Sequence, residues 1–487
     1  LKTNNINASN GDPVTVWIDT SGNDNDAINL TPGKEPEFIS SQINGHPVVS
    51  FDHSNEEYLG ANRSLKINSS DNATIFIVAR KTDNSGDDYN GLFIGQSSGD
   101  VRTIRHYGLE TRASVRFNNG NRIFENGFTE NDWKLGVWRN ISGAQYGEYE
   151  FFLDGIVQNQ HDSNGSTRIP NTADSIFLVG AGILSDGELS SSRYFNGDMA
   201  EVIAYHYEIN EAQRMIIENY LASKFYTDIS VSTDLFEYDD LYGHDVAGIG
   251  RINLTNLHTA AQSAGILRFS NATDLGDNEF LLFGHNSGTV NNWKNEGSPG
   301  DSVRILNRIW RVDETGDPGN YNIQLDSSLL PALPAGYNSY SVWIDSDGDF
   351  TSGARQVLLE HDGSVFVAGN VEINDGDYVA ISTICPVVNF ATTALYSNES
   401  VTAVEVVVSL NYQITSDVSI DYQIDTINST AEGDSIDYFL PSGTLVIPAG
   451  DLSSSFTLEI IDDVTPEMDE NIRIVLEDPV INATKGV

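Results

Sequence analysis

Short hydrophobic runs recur along most of the chain, between clusters of Gly, Asn, Asp and Ser. The clearest runs are "TIFIVA" (74–79), "YEFFLDG" (149–155), "SIFLVG" (175–180), "EFLLFG" (279–284), "YVAIST" (378–383) and "VEVVVSL" (404–410). Short runs rich in β-branched and aromatic residues, bounded by turn-forming residues, are typical of β-strands. Many such strands with few helices pack as two-layer sandwiches, so we predict an all-β chain.

One segment departs from this pattern, "NEAQRMIIENYLASKF" (210–225). Asn210 is a favoured N-cap residue, and Gln213 three positions later completes the signature of a capping box. An apolar stripe at helical spacing is formed by Ala212, Met215, Ile216 and Tyr220. We therefore predict a helix that closes the first domain.

The length of 487 residues exceeds what one hydrophobic core usually supports. A polar connector, "YTDISVSTD" (226–234), follows the predicted helix. Cys385-Pro386 marks a second boundary, because proline ends the hydrogen-bonding ladder of a strand. We predict three domains, spanning 1–227, 228–385 and 386–487.

The chain is strongly acidic, with 70 acidic and 26 basic residues and a formal net charge of -44 at pH 7. This balance argues against nucleic acid and anionic membranes as partners, because their phosphates require Lys and Arg. The expected partner is neutral or cationic. Since 39% of the residues are hydrophobic, the acidity belongs to a folded protein rather than a disordered tail. Such acidity suits salty surroundings or divalent cations.

The single cysteine, Cys385, excludes an intramolecular disulfide and a cysteine-rich zinc site. No apolar run reaches the length of about 18 residues that a membrane-spanning helix needs, so we expect no membrane insertion. The sequence begins at Leu1 without a signal-peptide pattern, and we interpret it as a piece of a longer protein.

The stretch "IDDVTPEMDENIRIVLEDP" (461–479) crowds five carboxylates together: Asp462, Asp463, Glu467, Asp469 and Glu470. Two like charges about 4 Å apart repel by about 4 kcal/mol at an effective dielectric constant of about 20. A compact cluster therefore needs a cation, or it must extend into water.

Four segments of the first domain occur in a characteristic order: "VWIDTSGNDNDAINL", "INGHPVVSFD", "FLDGIVQNQ" and "FNGDMAEVIAYHYEINEAQRMIIENYLASKFY". On these segments residues 1–227 resemble bacterial laminin-G-like domains. The resemblance implies a concanavalin A-like jelly roll of two antiparallel sheets, in a family that consists mostly of binding modules.

The same resemblance implies a calcium ion near the loop "DTSGN", with Asp19, Asn23 and Asp24 as ligands and Asp198 as a further candidate. Oxygen ligands on a tight glycine-containing loop suit a hard cation. The loop also suits a turn capped by its own side chains. Both interpretations stay open.

A sugar-binding face needs exposed aromatic rings, and Trp133, Tyr146 and Tyr194 are the candidate ligand-binding residues. Each also fits a core position or an isolated surface ring. Enzymes share the jelly roll, and Glu148 and Glu150 have the spacing of a glycosidase pair. Their flanking residues do not match the glucanase motifs of this fold, so we predict that the chain is not an enzyme.

The middle domain contains "YGHDVAGIGR", "FLLFGHN", "RIWRVDETGD" and "VWIDSDGDF". On these it resembles a β-rich domain of unknown function that recurs in secreted and surface proteins of marine bacteria. Asp345, Asp347 and Asp349 alternate as the oxygen ligands of a calcium loop do. Gln356 stands where an EF-hand requires Glu. The loop is either a calcium site or a solvated acidic turn.

The last domain carries the ordered pattern "DY…SGTLVIPAG…F.L.I.DD…E.DE….L..P" and resembles the Calx-beta domain over 388–487. Two predicted strands alternate inward residues, which places the acidic stretch at one end of a sandwich. Calx-beta domains can bind calcium at this end. The matching positions are Glu399, Asp437, Asp462, Asp463 and Asp469, with Glu467 and Glu470 as further candidates. The alternative is a salt-dependent acidic rim.

These expectations combine into one prediction: a jelly roll, then a β-sandwich-like domain, then an immunoglobulin-like Calx-beta sandwich. We predict a non-catalytic piece of a secreted or cell-surface adhesin that binds polysaccharide or cell-surface glycan through its first domain. Ca²⁺ would stiffen the other two domains as spacers, and further domains of the same chain are expected neighbours. Two alternatives stay open: the accessory carbohydrate-binding region of a polysaccharide-degrading enzyme, and a structural stalk without a ligand.

Overall fold

The computed structural model describes residues 1–61, 73–82, 91–97, 100–107, 112–117, 120–140, 149–164, 177–183, 189–225, 230–337, 339–433, 435–462 and 468–486. The chain forms two compact units. Unit 1 contains Leu1–His258 and Gly276–Leu282, and unit 2 contains Thr259–Leu275 and Phe283–Val487. The predicted domain boundaries stay predictions.

The strands wholly within unit 1 are β1 (Val16–Trp17), β2 (Ala27–Ile28), β3 (Glu37–Ile43), β4 (His46–Phe51), β5 (Leu59–Ala61), β6 (Thr74–Lys81), β7 (Gly91–Ser97), β8 (Asp100–Tyr107), β9 (Arg112–Phe117), β10 (Gly120–Phe124), β11 (Trp133–Asn140), β12 (Tyr149–Leu153), β13 (Ile156–Val157), β14 (Gln160–Asn164), β15 (Phe177–Val179), β16 (Ala181–Ile183), β17 (Leu189–Tyr194), β18 (Gly197–Tyr205), β19 (His244–Asn253) and β20 (Asn256–His258). Its helices are α1 (Glu211–Lys224) and α2 (Asp239–Tyr242), with short 3-10 turns at Thr3–Asn5 and His53–Asn55.

Two antiparallel sheets form the sandwich of unit 1. The nine-stranded sheet has the order β1-β2-β5-β15-β7-β8-β9-β10-β14, and the seven-stranded sheet has the order β13-β12-β11-β6-β18-β4-β3. Side chains from both sheets form one buried cluster, which includes Trp17, Val115, Trp138 and Phe151. The Trp138 and Phe151 ring centroids lie 4.7 Å apart. The all-β sandwich prediction is confirmed.

Both faces of the seven-stranded sheet are buried. Along β6, Ile75 and Ile77 point into the sandwich core, whereas Phe76 and Val78 belong to a second buried cluster. Such alternation follows from the two-residue period of a strand. The second cluster also contains Leu221 and Ala222 of α1 and Phe225, which follows the helix. Helix α1 therefore covers the outer face of this sheet.

The predicted helix is confirmed, including its cap. The Asn210 side chain accepts a hydrogen bond from the Gln213 N–H at 3.0 Å, and the Gln213 side chain accepts one from the Asn210 N–H at 3.1 Å. Ala212 and Ile216 from the predicted stripe pack in a further cluster with Leu235, Phe236, Val246, Phe280 and Leu282. Helix α1 is thus enclosed on two sides.

Strand β23 (Glu279–His285) crosses the division between the units after Leu282. The other strands of unit 2 are β21 (Ala260–Ser263), β22 (Leu267–Ser270), β24 (Val303–Thr315), β25 (Tyr321–Leu325), β26 (Ser339–Asp345), β27 (Arg355–Leu358), β28 (Glu360–Asp362), β29 (Val365–Val371), β30 (Tyr378–Ile384), β31 (Val387–Phe390), β32 (Ala403–Leu410), β33 (Val418–Ile424), β34 (Tyr438–Phe439), β35 (Gly443–Ile447), β36 (Ser453–Ile460), β37 (Ile474–Ile481) and β38 (Thr484–Lys485), with a 3-10 turn at Ser327–Leu329.

Unit 2 contains two neighbouring sandwiches. In the first, β24, β30, β26 and β27 follow one another in one sheet, and β21-β22-β25-β29-β28 form another. In the second, the sheet β34-β36-β32-β31-β38 faces the sheet β35-β33-β37, and side chains from both share one core. The six hydrophobic runs quoted above contribute to β6, β12, β15, β23, β30 and β32, with Asp154, Gly155 and Gly180 following the ends of their strands.

One hydrophobic core continues across Cys385-Pro386 within unit 2. It joins Val303, Trp343 and Ile384 to Val408 and Ile447, among others. Tyr412, from the loop after β32, packs edge-on against Trp343 with ring centroids 5.7 Å apart, and its hydroxyl donates to the Pro299 carbonyl at 3.1 Å. The two sandwiches of unit 2 are therefore held together by packing as well as by the chain.

Candidate functional sites

The loop after β1 holds the first predicted calcium ligands. The Asp19 carboxylate accepts hydrogen bonds from the Ser21 N–H at 2.8 Å, the Ser21 hydroxyl at 2.9 Å and the Asn25 N–H at 2.9 Å. The Asn23 amide donates to the Ser21 hydroxyl at 2.9 Å. Burial opposes ionisation of Asp19, but these donors outweigh it and hold the pKa of its carboxyl below the usual range. These contacts form a side-chain-capped turn, and calcium at Asp19 and Asn23 stays a prediction.

Asp198, the further candidate for that loop, pairs with Arg80. Its Oδ2 accepts hydrogen bonds from the Arg80 guanidinium at 2.6 and 3.2 Å. The same guanidinium lies 5.0 Å from the centroid of the Trp133 ring. Trp133 is only 8% exposed and packs in the cluster beneath α1. This burial argues against Trp133 as an exposed sugar-stacking ring.

Tyr194 is also an interior residue, 5% exposed and packed with Tyr58, Leu178 and Ala181. Burial raises the pKa of its hydroxyl to about 12. Tyr146 lies outside the described residues. In this structure Trp133 and Tyr194 therefore contribute packing and do not form a shared aromatic face.

The structure gives Glu150 an ion-pair partner. Its Oε2 accepts hydrogen bonds from the Arg139 guanidinium at 2.6 and 2.9 Å. Glu148 lies outside the described residues. A carboxylate engaged in this way is better placed to support the fold than to attack a sugar.

Glu150 belongs to a group of five buried or half-buried charges between α1 and the seven-stranded sheet, which we call the helix charge network. Arg139 pairs with Glu150 and, at 2.9 Å, with Glu211. Arg214 pairs with Glu211 and with Glu218. The side chains of Arg214 and Glu218 are 6% and 4% exposed. Burial of charge at this depth requires the pairing that the network provides.

Glu218 is the least compensated member of the network. One of its carboxylate oxygens pairs with Arg214, whereas Oε1 has no hydrogen-bond partner among the described residues. Burial raises the pKa of Glu218 to about 7, although the charge of Arg214 lowers it. The Arg214 guanidinium lies 4.0 Å from the centroid of the Phe152 ring, so it also packs against the sheet.

The acidic loop after β26 is a chain of capped turns. The buried Asp345 accepts hydrogen bonds through Oδ1 from the N–H groups of Asp347 at 2.9 Å and Gly348 at 2.6 Å. Asp347 in turn accepts from the Asp349 N–H at 2.8 Å, and Asp349 accepts from the Thr351 hydroxyl at 2.6 Å. Gly348 has a φ of 82°, which this turn needs. The turn satisfies its own carboxylates, and calcium here stays a prediction.

Three loops meet at the end of the last sandwich that lies away from Cys385. Two hydrogen bonds link the second and third loops, from the Ile461 N–H to the Asp437 carbonyl and from the Thr430 N–H to the Asn471 carbonyl, each 2.9 Å long. The first loop is joined to the end of β36 by a hydrogen bond from the Ile460 N–H to the Thr402 carbonyl at 3.1 Å. We call the described parts of these loops the distal loops: residues 391–402, 425–433 with 435–437, and 461–462 with 468–473.

The distal loops carry the predicted Calx-beta ligands. Glu399 lies on the first loop, Asp437 on the second, and Asp462 and Asp469 on the third. Asp437 is half-buried and the other three are exposed. Asp463 lies outside the described residues. The topology thus brings Glu399, Asp437, Asp462 and Asp469 to one end of the sandwich.

Within the described ranges, no three His, Cys, Asp or Glu side chains form a group that could hold a metal ion. None of the helices formed by those residues has both the length and the hydropathy needed to cross a membrane.

Sequence reasoning missed a concentration of arginine on the nine-stranded sheet. The adjacent strands β8, β9 and β10 carry Arg102, Arg105, Arg112, Arg116 and Arg122. Glu110 is the single acidic residue in the sequence between 102 and 122. The signal was available, because five of the 26 basic residues fall in this short stretch of an acidic chain.

The strand register groups three of these arginines. Arg105 is the partner of Ser114, and Arg116 is the partner of Thr103. Cross-strand partners share a face, and residues two apart on a strand share a face. By register, positions 105, 112 and 116 therefore alternate with the positions of the core residues Ala113 and Val115.

Two family models match parts of the chain. One is described as a domain of unknown function, DUF8202, and matches residues 214–377. The other is the Calx-beta domain and matches residues 383–487, which confirms that resemblance. No curated protein matches the chain.

Several solved structures are similar. Domain 4 of AbnA, an extracellular arabinanase from Geobacillus stearothermophilus in complex with arabinotriose, is 10% identical, with 42% of this chain and 85% of that chain covered and a TM-score of 0.24. Domains LG4-5 of the mouse laminin alpha1 chain are 10% identical, with 73% and 84% covered and a TM-score of 0.24. The binding domain of botulinum neurotoxin serotype D is 10% identical, with 93% and 98% covered and a TM-score of 0.28. Similarity at this level carries no inference about what this chain binds.

Proposed function

We propose that the chain is a non-catalytic recognition segment of a secreted or cell-surface adhesin. Its first sandwich binds an acidic polysaccharide or an acidic cell-surface glycan, and the sandwiches of unit 2 serve as a stiff spacer. The observation that carries this proposal is the group of five arginines on β8, β9 and β10 of an otherwise acidic chain.

The covering of the sheets supports this choice of surface. The seven-stranded sheet faces the sandwich core on one side and α1 on the other, so neither of its faces is open to a large ligand. The nine-stranded sheet buries one face in the core through Ala113 and Val115. Its opposite face is covered at β15, where Leu178 packs with Tyr58 and Tyr194, and Ser114 on β9 is fully buried. We therefore propose the strands β8, β9 and β10, rather than the whole face, as the region that meets a polymer.

The arginine content of β8, β9 and β10 supports an anionic ligand. The net charge of -44 repels polyanions over the protein as a whole, and on that basis a neutral or cationic partner is expected. Interactions between exposed charges are screened beyond about 8 Å at physiological salt, so the local charge decides at contact. Arginine binds carboxylate and sulfate groups through two parallel donors, which suits uronate or sulfated sugars.

The continuous core across Cys385-Pro386 supports the spacer role. Packing of Trp343 against Tyr412 and the core shared by β24, β30 and β32 limit bending between the two sandwiches of unit 2 without any ion. Ca²⁺ at Glu399, Asp437, Asp462 and Asp469 would supply positive charge among the distal loops and order them. That site lies at the far end of the last sandwich, so its effect would fall on the loops.

Glycan binding by the full chain tests the proposal. Alginate and a sulfated carrageenan serve as acidic probes, and laminarin serves as the neutral probe. We expect binding of at least one acidic probe that weakens with salt, and a loss of about tenfold or more when Arg105→Gln and Arg116→Gln are combined. Arg268→Gln, on β22 of unit 2, is the matched control and should bind like the unaltered chain. Binding of laminarin alone, or equal binding by all variants, would overturn the assignment.

A further inference from the structure

The distal loops carry exposed apolar side chains together with many carboxylates, a combination that is uncommon on a solvated loop. Each loop carries one large apolar side chain that is almost fully exposed: Tyr396 at 96%, Ile427 at 91% and Met468 at 90%. Leu395, Val401 and Ile436 on the same loops are about half exposed, at 51%, 46% and 50%. Single exposed apolar residues are common on protein surfaces, but a group on three converging loops marks a contact surface.

The topology explains why these side chains converge. The first loop joins β31 to β32, the second joins β33 to β34, and the third joins β36 to β37. Ala403 is paired with Glu459, and Ile424 is paired with Ile474, so all three loops leave their strands at the same end. The apolar tips therefore project from one end of the last sandwich.

Acidic groups lie on the same loops as the apolar tips. The described parts of the distal loops carry Glu399, Asp425, Glu432, Asp437, Asp462, Asp469 and Glu470. The basic residue on these loops is Arg473, which lies 3.6 Å from Asp425. Apolar side chains beside polar and charged groups are the usual composition of a protein–protein contact.

We propose that the distal loops are a docking surface for a protein partner whose apolar recesses are ringed by Lys and Arg. Charge complementarity selects this occupant. A second copy that docked through the same loops would bring an equally acidic surface against this one, which is repulsive. An anionic membrane would be repelled in the same way, and a zwitterionic membrane offers no net positive charge to the carboxylates.

This proposal does not rest on glycan binding by the first sandwich, because it concerns the opposite chemistry in unit 2. Loss of one activity leaves the other unchanged. The two proposals can therefore fail separately.

Model peptides test the docking surface on the full chain. A labelled amphipathic peptide of Lys and Leu represents the expected partner, and its binding is followed by fluorescence anisotropy in chelator. A Lys and Ser peptide of equal charge and a Glu and Leu peptide of equal hydrophobicity separate the two contributions. We expect only the Lys and Leu peptide to bind strongly.

The test variant combines Tyr396→Ser, Ile427→Ser and Met468→Ser. We expect it to bind the Lys and Leu peptide about tenfold or more weakly, because exposed anchors that become buried dominate contact energies. The matched control removes three exposed apolar side chains of unit 1, through Ile156→Ser, Val157→Ser and Leu254→Ser, which are 56%, 58% and 77% exposed. The control should bind like the unaltered chain.

Three results would overturn the proposal. Equal binding by the test variant and the control would show that the tips are not anchors. Tip-dependent cosedimentation with phosphatidylcholine or phosphatidylserine vesicles, with or without calcium, would assign the loops to membranes. Tip-dependent self-association in sedimentation velocity would assign them to a second copy. The single variant Tyr396→Ser changes a residue with almost no buried surface, so it should not disturb folding. A loss of peptide binding in this variant therefore reports the loss of an anchor and not misfolding.

Discussion

The helix charge network and the distal loops both concentrate carboxylates, but the repulsion between these carboxylates is reduced by arginine in the network and mainly by solvent in the distal loops. In the network, two arginines are interleaved among Glu150, Glu211 and Glu218 in a largely buried setting. In the distal loops, Arg473 is 61% exposed and sits 3.6 Å from Asp425, while most of the other carboxylates face water.

This difference shows in which region the paired charges contribute to the stability of the chain. A buried charge without its partner costs several kcal/mol, whereas an exposed ion pair contributes about 0–1 kcal/mol. The network is therefore coupled to the fold of unit 1. The distal loops are free to change their charge or their partner with little effect on folding, as a binding surface requires.

The largest expected effect comes from Arg214→Met, which keeps volume and removes the central cation. Glu218 then loses its partner in a buried position, and we expect unit 1 to lose about 3–5 kcal/mol of unfolding free energy at pH 8. Urea unfolding measures the loss.

Arg473→Met is the matched control in the distal loops and should cost less than about 1 kcal/mol. Adding Glu218→Gln to Arg214→Met should recover part of the stability, because the orphaned charge is removed. Similar losses for Arg214→Met and Arg473→Met would contradict the contrast between the two regions.

Glu218 also gives the network a pH dependence. Its pKa in the folded chain is about 7, raised from 4.5 by burial. A raised pKa means that the folded chain binds the proton more tightly than the unfolded chain does. The stabilisation that protonated Glu218 adds to the unfolding free energy is therefore complete below about pH 4.5 and is lost as the pH rises through about 7. We expect Glu218→Gln to remove roughly 3 kcal/mol of pH-dependent stability between pH 4 and 8.

The measurement is the difference between the two unfolding free energies across that pH range. Glu314, whose pKa burial also raises to about 7, is present in both proteins, so its contribution cancels. Parallel curves for the unaltered chain and Glu218→Gln would show that Glu218 does not titrate in this window.

The strands and the cap of α1 could be predicted because their signals are local. Alternation within β6 and the pair Asn210 and Gln213 depend on residues close in sequence. The burial of Arg214 and Glu218 could not be predicted. It depends on side chains distant in sequence: the Phe152 ring, whose centroid lies 4.0 Å from the Arg214 guanidinium, and Arg139, which pairs with Glu211.

The candidate sites also show that features fixed by contacts distant in sequence could not be predicted. Strand alternation predicted that the acidic stretch lies at one end of a sandwich, and the resemblance to the Calx-beta domain added Glu399 and Asp437. All four of Glu399, Asp437, Asp462 and Asp469 lie on loops at that end, and calcium binding by them stays a prediction. Composition could not separate the exposed rings from the packed ones, and Trp133 and Tyr194 proved to be buried. Net charge also concealed the arginines of β8, β9 and β10, because a total says nothing about distribution.

The smallest expected effect separates calcium from a solvated acidic rim at the distal loops. If Ca²⁺ binds there, a concentration a hundredfold above Kd stabilises the fold by about 2.7 kcal/mol, and Asp462→Asn with Asp469→Asn removes that gain. In chelator the same variant should differ from the unaltered chain by less than about 0.5 kcal/mol, because both side chains are exposed. Calorimetric unfolding with calcium and with chelator measures both quantities. Asp451→Asn, at an exposed position outside the distal loops, should keep the calcium response. An identical calcium response in all three proteins would place any bound ion elsewhere. No response in any of them would mean that solvent water screens the repulsion between these carboxylates. The carboxylates would then remain available to a basic partner.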